Sequence, residues 1–437
     1  MLTTQQHMCL TYLITVFNYY IHKRTKMLKL RRAFISTYAN VPQGPPDPIL
    51  GLTEAFNKDT DPRKITLGVG AYRGDDGKPW VLPSVREAEK KLFDQNLNKE
   101  YLGIAGLPAF VNKSLEFAYG EKSKPLLEKR IAALQTLSGT GACRVAGDFF
   151  RRFKLATGNV IYQPNPTWGN HIPIFKDAGM DVQQYRYYDP KTKGLDFKGM
   201  LEDLEAKPKG SAFLLHACAH NPTGVDPSLS QWKEISKVMK SKNHIAFFDC
   251  AYQGFASGDA DKDAAAIRLF VEDGHLICLA QSYAKNFGLY NDRVGAFSVV
   301  CNDPEEKDRV ESQLKILVRP NYSNPPAHGA RIIDTILSDS KLKPQWYKEC
   351  KSMADRIIDM RTLLRTTLED TLKSKHSWNH ITDQIGMFAY LGINKDQVSK
   401  LREVHHIYMT SDGRISMAGV TKGNASYIAN AIHEVTK

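Results

Sequence analysis

HLICLAQSYAKNFGLYNDRVGAFSVV, residues 275–300, holds two apolar runs on either side of a polar loop. The runs at 275–280 and 294–300 have the continuous apolar character of chain buried on both faces. Between them stand Lys285 and Arg293, with small or uncharged neighbours and no acid before Asp292. Two cations at the end of a buried strand are either solvated loop residues or donors waiting for an anion.

The same pattern returns upstream. Residues 159–164 (NVIYQP), 181–189 (DVQQYRYYD), 211–219 (SAFLLHACA) and 244–249 (HIAFFD) read as strands. TWGNHIPIFKDAG and SLSQWKEISKVMKSK (228–242) read as helices, the second with a basic outer face. Apolar strands separated by helices predict an α/β domain whose mostly parallel sheet is covered on both faces. After Pro344 the character changes. Trp346, Cys350, Met353, Ile357, Met360, Leu364 and Leu368 recur at steps of three and four. That spacing predicts a long helix with one buried stripe, leading into a smaller domain that ends in RISMAGV and a C-terminal helix.

Composition narrows the function classes. The 437 residues suffice for two domains, and 42% hydrophobic with 24% charged residues is ordinary for a globular chain. No stretch approaches the roughly 20 apolar residues that cross a bilayer. The formal charge is +12, but residues 1–46 carry six Lys or Arg and no acid, which leaves about +6 for the rest. That is too mild to point to nucleic acid. Seven scattered cysteines without a CxxC argue against a disulfide framework or structural zinc and suit a reducing compartment. In MLKLRRAFISTYAN, residues 27–40, Lys29, Arg31 and Arg32 interleave with Leu28, Leu30, Phe34 and Ile35. A helix there has a basic face and an apolar face, the composition of a mitochondrial presequence. Residues 8–21 are too short to span a membrane and make a poor secretory signal. Met27 is therefore a candidate start, with residues 1–26 an upstream extension.

The chemistry collects at strand ends, where open α/β sheets bind ligands. LSGTGACRVAGDFFRRF sets Ser138, Gly139 and Thr140 at a helix entrance, which favours an anion; taken alone, a plain helix cap is the simpler reading. HACAHNPTG ends a strand with Asn221. AFFDCAY brings Asp249, with Tyr252 three residues on, and NPTWGNH offers Trp168 and His171. A strand-end Asp is by itself more simply a cap, and a lone Trp more simply core. At successive strand ends of one sheet they describe one pocket, with a phosphate cradle, an aromatic wall, an amide, a carboxylate, a phenol and a lysine.

These stretches, with NLNKEYLGIAGL, LGVGAYR, RPNYSNPPAHG and GRISMAG in order from about Gly44 to Lys437, resemble the aspartate aminotransferases of the class I pyridoxal-phosphate-dependent aminotransferase family. GPPDPILGLTEAF and HITDQIGMF lean towards the mitochondrial type. The resemblance implies the type I aminotransferase fold, with a large domain on a mostly parallel sheet and a smaller α/β domain. Its boundaries are an extension and presequence at 1–40, an arm with part of the small domain at 41–79, the large cofactor-binding domain at 80–344 and the small domain at 345–437. It implies reversible transamination between L-aspartate and 2-oxoglutarate, giving oxaloacetate and L-glutamate, with pyridoxal 5'-phosphate and no metal. The implied setting is a homodimer with shared sites in the mitochondrial matrix.

The residue roles follow from the same resemblance. Lys285 is expected to form an imine with the cofactor aldehyde and then to shuttle the proton at the substrate Cα, which a neighbouring cation and partial burial favour by lowering its pKa. Arg293, Ser282 and the Ser138-Gly139-Thr140 turn are expected to hold the phosphate, joined by Tyr101 from the neighbouring subunit. Asp249 faces the pyridine nitrogen, with His171 behind it. Asn221 and Tyr252 bond the phenolic oxygen, and Trp168 stacks on the ring. Arg414, helped by Asn221 and the backbone at Gly70, is expected to take the α-carboxylate, and Arg319 of the partner the side-chain carboxylate. The chain departs from the family pattern at Gly103, often Pro, and at Asp292, more usually Glu. Two rivals remain: an aromatic or kynurenine transaminase on the same site, and a non-catalytic binder of a phosphorylated metabolite or a membrane surface.

Overall fold

The structure, a computed structural model, describes residues 4–32, 36–44 and 50–437. Met1–Asp47 and Pro48–Lys437 are separate compact units. In the first, a helix covers Thr4–Arg32. The side chains of residues 27–35, on which the presequence reading rests, lie outside the described residues, as do residues 45–49 of GPPDPILGLTEAF.

The second unit is built on a seven-stranded sheet. Its strands are β1 (Ile131–Leu137), β2 (Val160–Asn165), β3 (Asp181–Arg186), β4 (Ala212–His216), β5 (Ile245–Cys250), β6 (Cys278–Ser282) and β7 (Val294–Val300). They lie in the spatial order β1-β7-β6-β5-β4-β2-β3. The pairs β2–β3, β2–β4, β4–β5 and β5–β6 are parallel. β7 is antiparallel to both β6 and β1. The loop between β6 and β7 is too short for the crossover that a parallel return requires. The amino end of β7, and with it Arg293, therefore comes back to the edge where β6 delivers Lys285.

Continuous apolar runs form these strands because both faces are covered. Alternate residues of one strand enter different cores. Phe213 and Leu215 join one cluster with Ala246 and Phe248, whereas Ala212, Leu214 and Phe247 join the other with Phe150, Phe175 and Phe297. The helix Leu229–Ser241 starts where expected, because Ser228 and Gln231 form a reciprocal capping box.

Two strands differ from their sequence reading. The run 275–280 begins to pair only at Cys278, because the amide of His275 still bonds the Phe270 carbonyl at the end of the preceding helix. The stretch 181–189 divides after Arg186, and Tyr188–Asp189 pairs instead with Gly194–Leu195. The Asp189 carboxylate closes that hairpin by accepting from the Lys191 amide and the Thr192 hydroxyl.

The long helix spans Leu342–Thr366, with Trp346, Cys350, Met353, Ile357, Met360 and Leu364 on its buried stripe. A short antiparallel pair, Phe388–Tyr390 with Arg414–Ser416, follows, and the chain closes in the helix Ala425–Thr436. Ile65–Thr66 pairs in parallel with Ile407–Tyr408. That pairing fastens the segment around Gly68 and Gly70 beside Arg414.

Candidate active site

A cavity of about 310 Å³ opens at the carboxyl edge of the sheet. The chain just after β1, β2, β4, β5 and β6, and just before β7, supplies most of its wall. After β1 the chain turns at once into the helix Ser138–Phe153, which has no side-chain cap at its start. The Ser138 amide donates to the Arg293 carbonyl at 3.1 Å, and the Gly139 and Thr140 amides that follow lie at the positive end of the helix dipole. Ser138 holds φ +61, and its hydroxyl lies 3.0 Å from that of Ser282 at the end of β6. A Cβ on Gly139 would stand 3.1 Å from the Ser282 Cβ, so glycine keeps this approach open. Arg293, before β7, lines the same end and donates through Nη1 to the Tyr290 carbonyl at 2.9 Å.

Asp249 sits near the end of β5, opposite this cradle. His171 Nε2 lies 3.1 Å from its Oδ2, while His171 Nδ1 meets the Thr167 hydroxyl at 2.8 Å. The same hydroxyl lies 3.2 Å from His216 Nε2, and His216 Nδ1 accepts from the Asn221 amide at 3.3 Å. Burial pushes His216 down to about 3, so its neutral ring can accept. Burial acts to raise Asp249, but the His171 hydrogen bond and the pull of the His171 and Lys285 charges outweigh it and hold the carboxyl below its ordinary value. Asp249 is thus an anion at neutral pH. Cys143 shares the neighbourhood within 4.8 Å, but burial drives its thiol well upward, and it offers no thiolate.

Lys285 Nζ makes no hydrogen bond or ion pair among the described residues and stands 5.4 Å from the centre of the Tyr252 ring. Burial pushes its pKa down; Asp249 works against this and Arg293 with it. Such an amine is poised to lose its proton. Arg414, only 5% exposed, closes the other side. Nη1 donates to Asn221 Oδ1 at 3.3 Å, and Nη2 to the Gly68 carbonyl at 3.2 Å. The Phe388 ring lies 4.1 Å from the guanidinium carbon, and Nε is buried without a partner. No carboxylate pairs with this arginine among the described residues. A buried guanidinium with an orphaned donor is a receptor for an anion.

The chain matches the model of the family "Aminotransferase class I and II" over residues 62–432. It belongs to that family. The mitochondrial aspartate aminotransferase of Arabidopsis thaliana is 58% identical over 406 residues, covering 93% of this chain and 94% of that protein. The protein of the same description from Xenopus tropicalis is 56% identical over 402 residues, covering 92% and 94%. The crystal structure of an aromatic-amino-acid aminotransferase from Burkholderia pseudomallei, covalently bound to pyridoxal phosphate, superposes with a TM-score of 0.89 at 41% identity, covering 92% of this chain and all of that one.

The aminotransferase site accommodates pyridoxal 5'-phosphate on its own donor chemistry. An uncapped helix start, two serine hydroxyls, Arg293 and the close approach at Gly139 suit a phosphate. An ionised, His-supported carboxylate stands opposite, with an unpaired lysine between. Of the residues expected from the sequence, Gly70, Ser138, Gly139, Thr140, Trp168, Asn221, Asp249, Tyr252, Ser282, Lys285, Arg293 and Arg414 all line this cavity. His171 stands behind Asp249.

Tyr101 and Arg319 do not reach it. Tyr101 is 89% exposed and lines a separate cleft with Tyr322 and Asn324, and Arg319 donates to the Ser323 hydroxyl at 2.6 Å. Gly70 lines the cavity beside Arg414, whose own backbone partner is the Gly68 carbonyl, and a Cβ on Gly70 would lie 2.9 Å from the Phe388 ring. Asn170, His216, Cys218, Ala251 and Phe388 also line the cavity and were not singled out. His216 and Asn170 stood inside stretches already read as strand and strand end. For Phe388 the sequence carried no signal, because a lone Phe before a short strand reads as core.

Proposed function

We propose that this aminotransferase interconverts L-aspartate and 2-oxoglutarate with oxaloacetate and L-glutamate, in two half-reactions at one site, within the mitochondrial matrix. The observation that carries the reading is Lys285, a half-buried amine without a hydrogen bond or ion pair among the described residues, in one cavity with an ionised Asp249 and an Arg414 that has no carboxylate partner. The 58% and 56% identical relatives support this substrate pair and location over the aromatic acids named for the more distant structure.

Bound pyridoxal 5'-phosphate supplies an aldehyde that condenses with amines and a protonated ring that draws electrons from Cα. The chain's own residues do the rest. Arg414 and Asn221 bind the substrate α-carboxylate and orient the Cα–H bond towards Lys285. The lysine amine takes the proton from Cα and would deliver it to the carbon that carried the cofactor's aldehyde, moving it the other way in the second half-reaction, a positioned base worth roughly 10²–10⁴-fold. Asp249, held ionised by His171, keeps a proton on the ring nitrogen. Tyr252 and Asn221 donate to the phenolic oxygen, and Trp168 walls one face. Ser138, Gly139, Thr140, Ser282 and Arg293 hold the phosphate, so the reacting atoms stay in register.

The reading includes a homodimer, with Tyr101 reaching the phosphate and Arg319 the distal carboxylate in the neighbouring subunit's site. Both side chains are exposed, which suits residues that act across an interface. The divisions at 1–40, 41–79, 80–344 and 345–437 belong to the same reading, with residues 1–40 as targeting sequence. The test is the absorption spectrum of reconstituted protein titrated with aspartate, followed by borohydride reduction and peptide mapping. A shift with aspartate, an adduct on Lys285 and oxaloacetate formation are expected, and Lys285→Ala should abolish the adduct and the oxaloacetate. A wild-type protein that binds cofactor but forms no oxaloacetate ends the proposal.

A further inference from the structure

Arg361 is a second deeply buried arginine, and the chemistry above gives it no part. It stands on the long helix Leu342–Thr366, 2% exposed. No carboxylate pairs with it among the described residues. Nη1 donates to the Ile381 carbonyl at 2.8 Å, and Nη2 to the carbonyls of Gly386 at 2.8 Å and Phe388 at 2.5 Å. Nε is buried without a partner, and burial pulls the guanidinium down to about 9. A cation without a counter-charge is a costly bolt if packing alone is required.

The bolted segment is the wall that reads the α-carboxylate. Gly386, at φ +83, packs so closely on the Ala219 turn that a Cβ there would lie 2.4 Å from the Ala219 Cβ. The Ile385 amide donates to the Gly224 carbonyl at 2.7 Å. That turn carries Asn221, one partner of Arg414. Two residues beyond Gly386, Phe388 enters the strand paired with Arg414–Ser416 and sets its ring against the Arg414 guanidinium. One side chain thus anchors the backbone on which two of the neighbours aiming Arg414 depend.

We infer that Arg361 is a positioning residue for substrate binding, pinning the turn 381–388 so that Phe388 and Asn221 aim Arg414 at the α-carboxylate of each incoming amino or oxo acid. The inference rests on the aminotransferase reading above. Its three acceptors are all backbone carbonyls of residues 381–388, the stretch that ends in Phe388 at the cavity wall. Since every substrate carries the α-carboxylate, Arg361 affects all substrates alike and leaves the preference between dicarboxylic and aromatic acids in place.

The test uses holoenzyme carrying Arg361→Lys, Arg361→Met, Phe388→Leu or Arg361→Lys with Phe388→Leu. Transaminase assays and cofactor titration give KM, kcat and the cofactor Kd. The expected result for Arg361→Met is a rise of about tenfold or more in KM for both aspartate and 2-oxoglutarate, with a smaller rise for lysine. The cofactor Kd and kcat should stay within about threefold, and the double variant should be less than additive. If Arg361→Met does not fold, Arg361→Lys and the cycle with Phe388 decide. An unchanged KM in Arg361→Lys overturns the inference, as does a rise in KM matched by equal losses of kcat and cofactor affinity, or strict additivity. Failure of the aminotransferase reading shows separately, as wild-type enzyme without turnover.

Discussion

Charges at the site are set by what stands beside them. Half-buried Lys285 and buried Arg414 both lack carboxylate partners among the described residues, and desolvation lowers the pKa of each. For the lysine this makes a base. The arginine, whose guanidinium is far more basic than an amine, remains charged and becomes a socket for an anion. Arg414→Ala removes a desolvated, two-pronged partner of the substrate, and a loss of about 2–5 kcal/mol follows, or roughly 30-fold to several thousandfold in kcat/KM for aspartate. Lysine at this position should recover only part of it, because a point charge cannot form the fork. Steady-state kinetics of the two variants with aspartate check this, and equal activity in alanine variant and wild type would remove Arg414 from the site.

Elements deliver these groups by ending abruptly. β4 runs into a turn that reverses over a few residues, with the Gly224 amide on the His220 carbonyl at 2.6 Å. Gly224 has φ +68, and a Cβ there would meet the carbonyl oxygens of Ile385 and Phe388 at 2.9 Å. Asp226 holds the other side, accepting from the amides of Ala219 and His220, although burial pushes its carboxyl up to about 6. Gly224→Ala combines left-handed strain with a backbone clash and should cost about 1–3 kcal/mol. A lower thermal midpoint and a raised KM for aspartate are expected, because the turn carries Asn221. A variant with unchanged midpoint and KM contradicts this account of the turn.

At the scale of the whole molecule the open question is what Tyr101 and Arg319 face. In one chain they line no part of the cavity. In the proposed dimer each completes the site of its neighbour. Mixing Arg319→Ala with Lys285→Ala subunits then regenerates one intact site per hybrid. Two inactive parents, unfolded and refolded together, should recover about a quarter of wild-type specific activity with aspartate, as random pairing of subunits in a two-fold assembly requires. No recovery in a mixture shown to contain hybrids would place Arg319 in its own chain's site or in none.

The sequence by itself determined the sheet, the cradle and the identity of the reactive groups. Runs such as SAFLLHACA and HIAFFD carry their burial in composition, and the residues after them are named by position at a strand end. Lys285 and Asp249 were legible for that reason, and Arg414, Tyr101 and Arg319 only through family resemblance. What the tertiary structure decided is how the groups are held. The antiparallel course of β7 returns Arg293 to the edge where β6 leaves Lys285. The chain from Asp249 through His171, Thr167 and His216 to Asn221, and the grip of Arg361 on the turn beside Arg414, join residues far apart in sequence. Periodicity and composition describe neighbours along the chain, whereas a hydrogen bond between distant segments exists only once packing has fixed their separation and direction.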